Sequence, residues 1–374
     1  MPSQYLPVFG LILALGLIVS AAVTPLTQRL GVRFGLVDRP GGRRHHTGVI
    51  SRLGGIALYA GFTLAVVTTF VLPKVWLPPR LDPQEWLRLG GLLCGTTAVF
   101  IFGLLDDRFQ FPNRPQYVAQ FLSSLIAIAF IIFIERVNNP FNHDQIVFPW
   151  PVVWILTIFW FMGMINTVNW LDGLDGLAAG VAAIMSAVLA IHMIREGQYS
   201  VALLPIALLG ATVGFLPFNF NPARVFMGSS GSYFLGWALA ALGIISGAKV
   251  ATVLLAMGLP ILDVAWLIFN RVRRGGKPGF NGRDHLHHRL LDIGFSQRQI
   301  VVGYYIYCAA FGVLALGLEN RLYKLLALFV LIGTALTLLV WAGRQPVARF
   351  GNGKHLENGD GKPLSEAKDA TDKA

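Results

Sequence analysis

Chemistry is concentrated in a few strings of this 374-residue chain. Asp106-Asp107 stand side by side in Phe-Gly-Leu-Leu-Asp-Asp-Arg, and the repulsion between two adjacent carboxylates must be offset by a cation or a shared proton. Further along, Asn166-Thr-Val-Asn169-Trp-Leu-Asp172-Gly-Leu-Asp175-Gly repeats an amide or carboxylate at every third position. On a helix each step of three drifts by about 60°, which lays Asn166, Asn169, Asp172 and Asp175 as a polar stripe along one side. The two glycines let the backbone break or come close to a ligand. Oxygen donors of this kind suit a hard cation such as Mg²⁺ shared with phosphates, although a tight turn between two helices uses the same residue types.

Imidazoles and guanidiniums form a second kind of cluster. In Arg283-Asp284-His285-Leu286-His287-His288-Arg289 the spacing puts His285 and His288 on one helix face at i, i+3 and turns His287 elsewhere. Zinc is one reading of clustered histidines, but no cysteine is near and the flanking guanidiniums repel a metal. Donors at this density suit a polyanion such as a nucleotide diphosphate. A basic loop resting on anionic lipid headgroups accounts for the arginines but not the histidines. Asp38-Arg-Pro-Gly-Gly-Arg43-Arg44-His45-His46, closing with Arg52, repeats the pattern. Asp263 lies inside an apolar run after Pro260, where an acid needs a partner and is a functional candidate on that ground, with the proline opening the helix beside it.

The elements that hold these residues are membrane spans. The chain is 55% hydrophobic and 13% charged, against about 25% charged in soluble domains. A disordered chain, a disulfide-stapled scaffold and a soluble two-domain enzyme are thereby excluded; the two cysteines, Cys94 and Cys308, each lie in an apolar run. Apolar runs long enough to cross a bilayer number about eleven, at roughly 6–26, 53–72, 88–105, 117–134, 150–170, 174–194, 199–218, 230–246, 249–269, 300–318 and 321–342. The expected fold is therefore all-α, a polytopic membrane bundle of about eleven helices forming one domain over 1–342. The polar residues 343–374 are expected to be a disordered tail. The first run lacks a basic leader and is read as an uncleaved span. A stretch rich in Pro and Trp, Val75–Glu85, is expected to lie along the interface.

Loop charge sets the orientation. Six arginines (29, 33, 39, 43, 44 and 52) follow the first run, and seven basic residues from Arg271 to Arg298 follow the ninth. The positive-inside rule makes those loops and the tail cytoplasmic and the N-terminus external. The net charge of +11 is thus the signature of basic loops, and no nucleic-acid partner is expected. All the strings above fall at or near the same, cytoplasmic ends of the spans, which points to one site open to that side.

Taken together, the strings resemble the polyprenyl-phosphate N-acetylhexosamine-1-phosphate transferases. The match runs from about Asp38 to Gly294 in the family's motif order. Asn166–Gly176 is similar to the NxxNxxDGxDGL motif, Asp106-Asp107 to the aspartate pair, and Asp263-Val-Ala-Trp with Arg273-Arg274-Gly-Gly-Lys-Pro-Gly-Phe to the ninth-span signature. His285-Leu-His287-His288 resembles the HxHH signature of the GlcNAc-1-phosphate branch.

The resemblance implies a multi-pass enzyme of the inner (plasma) membrane that moves sugar 1-phosphate from a UDP-sugar, UDP-GlcNAc above all, to polyprenyl (undecaprenyl) phosphate. UMP would be released, and the lipid-linked sugar would start cell-envelope polysaccharide synthesis. The implied cofactor is Mg²⁺, with Mn²⁺ as the substitute, and a homodimer is left open. Asp106, Asp107, Asp172 and Asp175 are the implied catalytic acids, and Asn169 and position 229 the metal ligands. Arg43, Arg44, His46, Arg52, Asn166, Asp263, Arg283, His285, His287 and His288 are the implied substrate-binding residues. Three positions depart from the pattern. Ser229 replaces the acid of the family's MGDxGS string, which lowers the expected metal affinity. Gln116 stands where a basic residue is usual, with Arg114 as a substitute, and Val49 and Ser51 replace two prolines. An inactive relative that binds nucleotide or lipid would keep the same strings. A polytopic transporter also carries intramembrane acids and broken helices, but its polar groups would gather at the midplane and join both faces.

Overall fold

The computed structural model describes residues 3–38, 48–139, 141, 144–247, 250–273, 275 and 285–345. Each apolar run becomes helical because a segment in lipid must satisfy its own backbone polar groups. The chain begins with α1 (Leu6–Phe34) and a short antiparallel pair, β1 (Val37–Asp38) and β2 (Ile50–Ser51), joined in the register Val37 to Ser51. Next come α2 (Gly54–Val71), α3 (Glu85–Phe109) and α4 (Asn113–Ala129). A second hairpin, β3 (Arg136–Asn138) and β4 (Gln145–Val147), precedes α5 (Trp150–Leu171), α6 (Leu177–Arg195), α7 (Tyr199–Asn219) and α8 (Gly228–Ile245). The remainder is α9 (Val250–Ala256), α10 (Gly258–Arg273), α11 (Leu286–Ile293), α12 (Gln297–Gly317) and α13 (Arg321–Arg344).

Nine helices among the described residues are long and apolar enough to cross a membrane. Two of the eleven expected spans take another form. The fourth starts at Asn113 and stops at Ala129, because Phe130 and Ile131 turn the chain and Ile131 adopts a positive φ of 57°. The ninth is divided at Met257 into α9 and α10, with Pro260 in the first turn of α10, where its missing N–H costs no helical hydrogen bond. α13 runs to Arg344; residues 346–374, expected as a disordered tail, lie outside the described residues.

α8 is the innermost helix, with Tyr233, Phe234 and Trp237 almost wholly buried. Its neighbours approach through small residues, as expected where lipid supplies no hydrophobic force between helices. Gly95 of α3 lies against the Trp237 ring, and Gly236 of α8 lies against the backbone of Ile165 in α5. Gly16 of α1 and Gly210 of α7 bring those two backbones together in the same way. This tight centre holds the N-terminus of α8, the end of α3 and the end of α5 in fixed relation. All three meet at the end of the bundle that carries the polar strings.

Candidate active site

The first loop is sewn to the segment before α8. Ser51 forms a parallel bridge with Val225, Phe226 N–H donates to Ser51 O at 2.8 Å, and Gly54 and Gly55 N–H donate to Phe226 O and Met227 O. Arg52 is thereby fixed, half-buried, at the mouth of α8. No local side chain caps that helix; Asp107, from the end of α3, does so instead. Its Oδ1 accepts from Ser229 N–H at 2.7 Å, and its Oδ2 from Ser230 N–H at 3.0 Å and Ser230 Oγ at 2.7 Å. An anion at a helix N-terminus meets unpaired N–H groups and the positive end of the helix dipole. Gly228, at φ +67°, makes room for it, since a Cβ there would stand 2.6 Å from both Asp107 oxygens.

Asp106 is also buried. Its Oδ1 accepts from Phe111 N–H at 3.0 Å and from Gln116 Nε2 at 3.1 Å. At the position where a cation was expected, a neutral amide thus covers the acid without cancelling its charge. Arg114 is exposed and makes no hydrogen bond with it.

The expected helical stripe ends early. α5 stops at Leu171, Asp172 is its C-cap, and Gly173–Gly176 form a turn because the two glycines release the backbone, Gly176 with φ +82°. Asn166 stays on the helix and exchanges hydrogen bonds with Gln120 of α4, its Nδ2 donating to Gln120 Oε1 at 2.6 Å. It therefore joins α4 to α5 and stands apart from the acids. Asn169 Oδ1 accepts from Ser232 Oγ at 2.9 Å, which places it beside the first turn of α8. Asp175 is held from the α7–α8 connection, its Oδ2 accepting from Asn221 Nδ2 and Ala223 N–H, each at 3.0 Å. Asn221 Nδ2 also donates to Gln297 Oε1 at 2.8 Å.

The histidines meet this turn from the other side. Asp263 of α10 receives Leu286 N–H on Oδ1 at 2.9 Å and faces His285 Nδ1 from Oδ2 at 3.1 Å. This carboxylate has the partner that a buried acid requires. His285 is the extended N-cap of α11, not part of it. The i, i+3 pairing expected for His285 and His288 therefore does not apply, and His287 is not turned away. It is fully buried, stacked on His285 (ring centroids 5.4 Å apart) and tilted at 50° against His288 (4.4 Å). Burial, and then the charges of His288 and His285, hold it well below the usual imidazole range. Gly173 packs directly on these rings: a Cβ there would lie 2.6 Å from His287 Nε2 and 3.1 Å from His288 Nε2.

Asp172 occupies the centre of the arrangement. Burial and the neighbouring charges of Asp107 and Asp175 push its carboxyl well above the ordinary range, and Arg52 opposes them. One guanidinium against three carboxylates leaves a deficit of positive charge that suits a bound cation. Among the described residues no three His, Cys, Asp or Glu side chains converge into a metal cage. Mg²⁺ does not need one, being held by one or two carboxylates together with water and substrate phosphates. Asp172, Asn169 and Ser229 supply hard oxygen donors at this place, so the residues present fit such an ion. Arg43, Arg44, His46 and Arg283 lie outside the described residues.

Ser230, Ser232 and Asn221 lie in Asn219–Ser232, a polar stretch that stands out in the sequence, but their individual roles do not, because each acts on an acid or amide distant in sequence. The one local signal is the amide-rich Asn219-Phe-Asn221-Pro before a helix; Asn219 Oδ1 accepts from Gly176 N–H at 3.1 Å and ties the same turn.

Residues 89–247 match the sequence profile of Glycosyl transferase family 4. Over 318 residues the chain is 27% identical to a Bacillus subtilis (strain 168) protein named probable undecaprenyl-phosphate N-acetylglucosaminyl 1-phosphate transferase, covering 83% of this chain and 85% of that one. It is 28% identical over 298 residues to the undecaprenyl-phosphate alpha-N-acetylglucosaminyl 1-phosphate transferase of Yersinia pestis, covering 76% and 77%. It is 29% identical over 351 residues to the decaprenyl-phosphate N-acetylglucosaminephosphotransferase of Mycolicibacterium smegmatis (strain ATCC 700084 / mc(2)155), covering 86% and 83%.

Proposed function

Because the chain belongs to glycosyl transferase family 4, we propose that it transfers GlcNAc 1-phosphate from UDP-GlcNAc to a polyprenyl phosphate and releases UMP. The observation that carries this reading is the seat of the Asp172-Gly173 turn. Asp107 and Arg52 act on it from one side and His287 and His288 touch it from the other, so acids suited to a metal and imidazoles suited to a nucleotide share one end of the bundle. A water-soluble donor and a lipid acceptor can react only where water meets bilayer, and the motif-bearing loops lie there. The basic loops support placing that end in the cytoplasm, and the bacterial relatives support the inner membrane as its location.

Phosphoryl transfer asks the protein mainly for alignment and charge stabilisation. An oxygen of the lipid phosphate attacks the sugar-bearing phosphorus, the bond from that phosphorus to the bridging oxygen breaks, and UMP carries the bridging oxygen away. Asp172, Asn169 and Ser229 would hold Mg²⁺, which when bound neutralises the pyrophosphate oxygens. Both oxygens of Asp107 already accept hydrogen bonds, and Asp106 accepts two more through Oδ1. This engagement supports an orienting role for the pair over proton abstraction, and a phosphate whose second pKa is about 6 needs little help to ionise. His285, fixed by Asp263, and His288 face the leaving UMP.

The test is UMP release by the purified protein given UDP-GlcNAc, polyprenyl phosphate and Mg²⁺, with Asp172→Asn and Ser229→Asp in parallel. Turnover by the native chain that falls about 10²-fold or more in Asp172→Asn is expected. Activity appearing only in Ser229→Asp would overturn the reading in favour of an inactive relative.

A further inference from the structure

A cavity of about 1510 Å³ lies at the end of the bundle away from the candidate active site. It is lined by the starts of α3, α5, α7 and α13, the ends of α4, α6 and α8, and the β3–β4 hairpin. Its volume exceeds the roughly 300–1,000 Å³ of small-molecule pockets. Nothing in the transferase reaction calls for a chamber here.

Its lining is of two kinds. Trp150, Trp154 and Trp160 stand along it with Leu325 and Leu328. Trp150 and Trp154 are exposed, as indoles are at the headgroup level of a bilayer. Four acidic and four basic side chains complete the wall among the described residues. Two of the eight are deeply buried for ionisable groups, Glu85 at 6% and Lys324 at 8% exposure; Glu85 is held by Ser200 Oγ at 3.0 Å and Arg80 at 3.5 Å, and buried charge in a membrane protein marks a functional candidate. Lys324 and Arg321 are one turn apart at the start of α13 and bring two cations to the same wall. Gln198 contributes a buried Oε1 with no hydrogen-bond partner, and Glu196 lines the same cavity. An orphaned acceptor of this kind is destabilising unless a donor reaches it.

From these features we propose that the cavity binds the headgroup of a zwitterionic phospholipid carrying a primary amine, of the phosphatidylethanolamine class. Lys324 and Arg321 receive its phosphate, its ammonium donates to Gln198 Oε1 on the wall that also carries Glu196, and its acyl chains leave along Trp154, Leu325 and Leu328. Equal numbers of fixed positive and negative groups give an anionic lipid no net attraction. The unfilled Gln198 acceptor calls for an N–H or O–H donor, which a quaternary choline lacks.

The experiment is native mass spectrometry of the full-length protein released from nanodiscs of equal parts phosphatidylethanolamine, phosphatidylglycerol and phosphatidylcholine. One ethanolamine lipid retained about tenfold over each of the others is the expected result. Gln198→Ala and Lys324→Gln should each reduce that retention about tenfold while UMP release changes less than about twofold. Equal retention of the three lipids by the native protein, or ethanolamine selectivity intact in Gln198→Ala, overturns the proposal. The competition in the native chain decides the matter even where a variant fails to fold.

Discussion

The Asp107 carboxylate and the Ser230 hydroxyl meet at 2.7 Å, and the backbone N–H of the same serine reaches the same oxygen at 3.0 Å. With Ser229 N–H on the other oxygen, one acid from the end of α3 caps α8 while its charge acts on Asp172. The two duties separate under mutation. Ser230→Ala removes one hydrogen bond and should lower stability by about 1 kcal/mol with only a small loss of turnover. Asp107→Asn must turn an amide N–H₂ toward an N–H donor and also removes the charge, so it should lose about 10²–10³ in UMP release as well as stability. Thermal unfolding and turnover measured on both variants decide it; Asp107→Asn with lowered stability and normal turnover would leave Asp107 as a cap alone.

A second acid is held by an amide. Asn221 Nδ2 lies 3.0 Å from Asp175 Oδ2 and 2.8 Å from Gln297 Oε1, so the α7–α8 connection and the start of α12 fix Asp175 jointly. Asn221→Ala should reduce turnover about tenfold by releasing the carboxylate. Asn221→Asp sets a like charge against it and should be worse still. A loss in Asn221→Ala with none in the isosteric Asn221→Asp would mean that Asn221 only fills space.

Most of this site was legible before any coordinates, and the exceptions share a physical cause. Apolar length located the helices long enough to span, although it read α9 and α10 as one run and passed over the short α11, and clustering of Asp, Asn and His located the end of the bundle at which they meet. What periodicity misjudged was the point at which helices stop. Gly173 and Gly176 end α5 before Asp175, and the extended N-cap His285 shifts the phase of the histidines, bringing His287 inward. The capping of α8 by Asp107 and the clamp on Asp175 depend on contacts across 123 and 46 positions respectively, which no local pattern encodes. The far cavity was invisible for the same reason: seven helix ends and a hairpin, distant from one another in sequence, build it together.

Gly173 tests whether the acid-bearing turn and the histidines work as a unit. Its missing Cβ is the space that His287 and His288 occupy. Gly173→Ala must displace an imidazole by several tenths of an ångström, in a buried stack with little slack. Because Gly173 itself is exposed, stability should change by less than about 1 kcal/mol, while kcat/KM for the UDP-sugar should fall about tenfold, chiefly through KM. An unchanged KM in a normally folded variant would detach the histidines from the donor site.

The sharpest pH signature belongs to Asp172. Its carboxyl is held well above its ordinary value of 3.8 by burial and by the charges of Asp107 and Asp175. The folded protein therefore binds this proton more tightly than the unfolded chain does. The associated stability is complete below the unfolded value and is lost as pH rises through the raised folded value. Activity runs the opposite way, since only the ionised carboxylate can serve a cation, and UMP release should climb with pH over the same interval. Added Mg²⁺ should restore stability most at the alkaline end, where it binds the deprotonated group, and least at the acid end. Asp175→Asn removes one repelling charge and should move the acid limb of activity to lower pH, whereas Asp172→Asn should make the Mg²⁺ stabilisation independent of pH. Thermal unfolding with and without Mg²⁺, together with UMP release, each from about pH 5 to pH 9, measures these effects, and a Mg²⁺ effect equally large at both ends in the native chain would exclude Asp172 as the ligand.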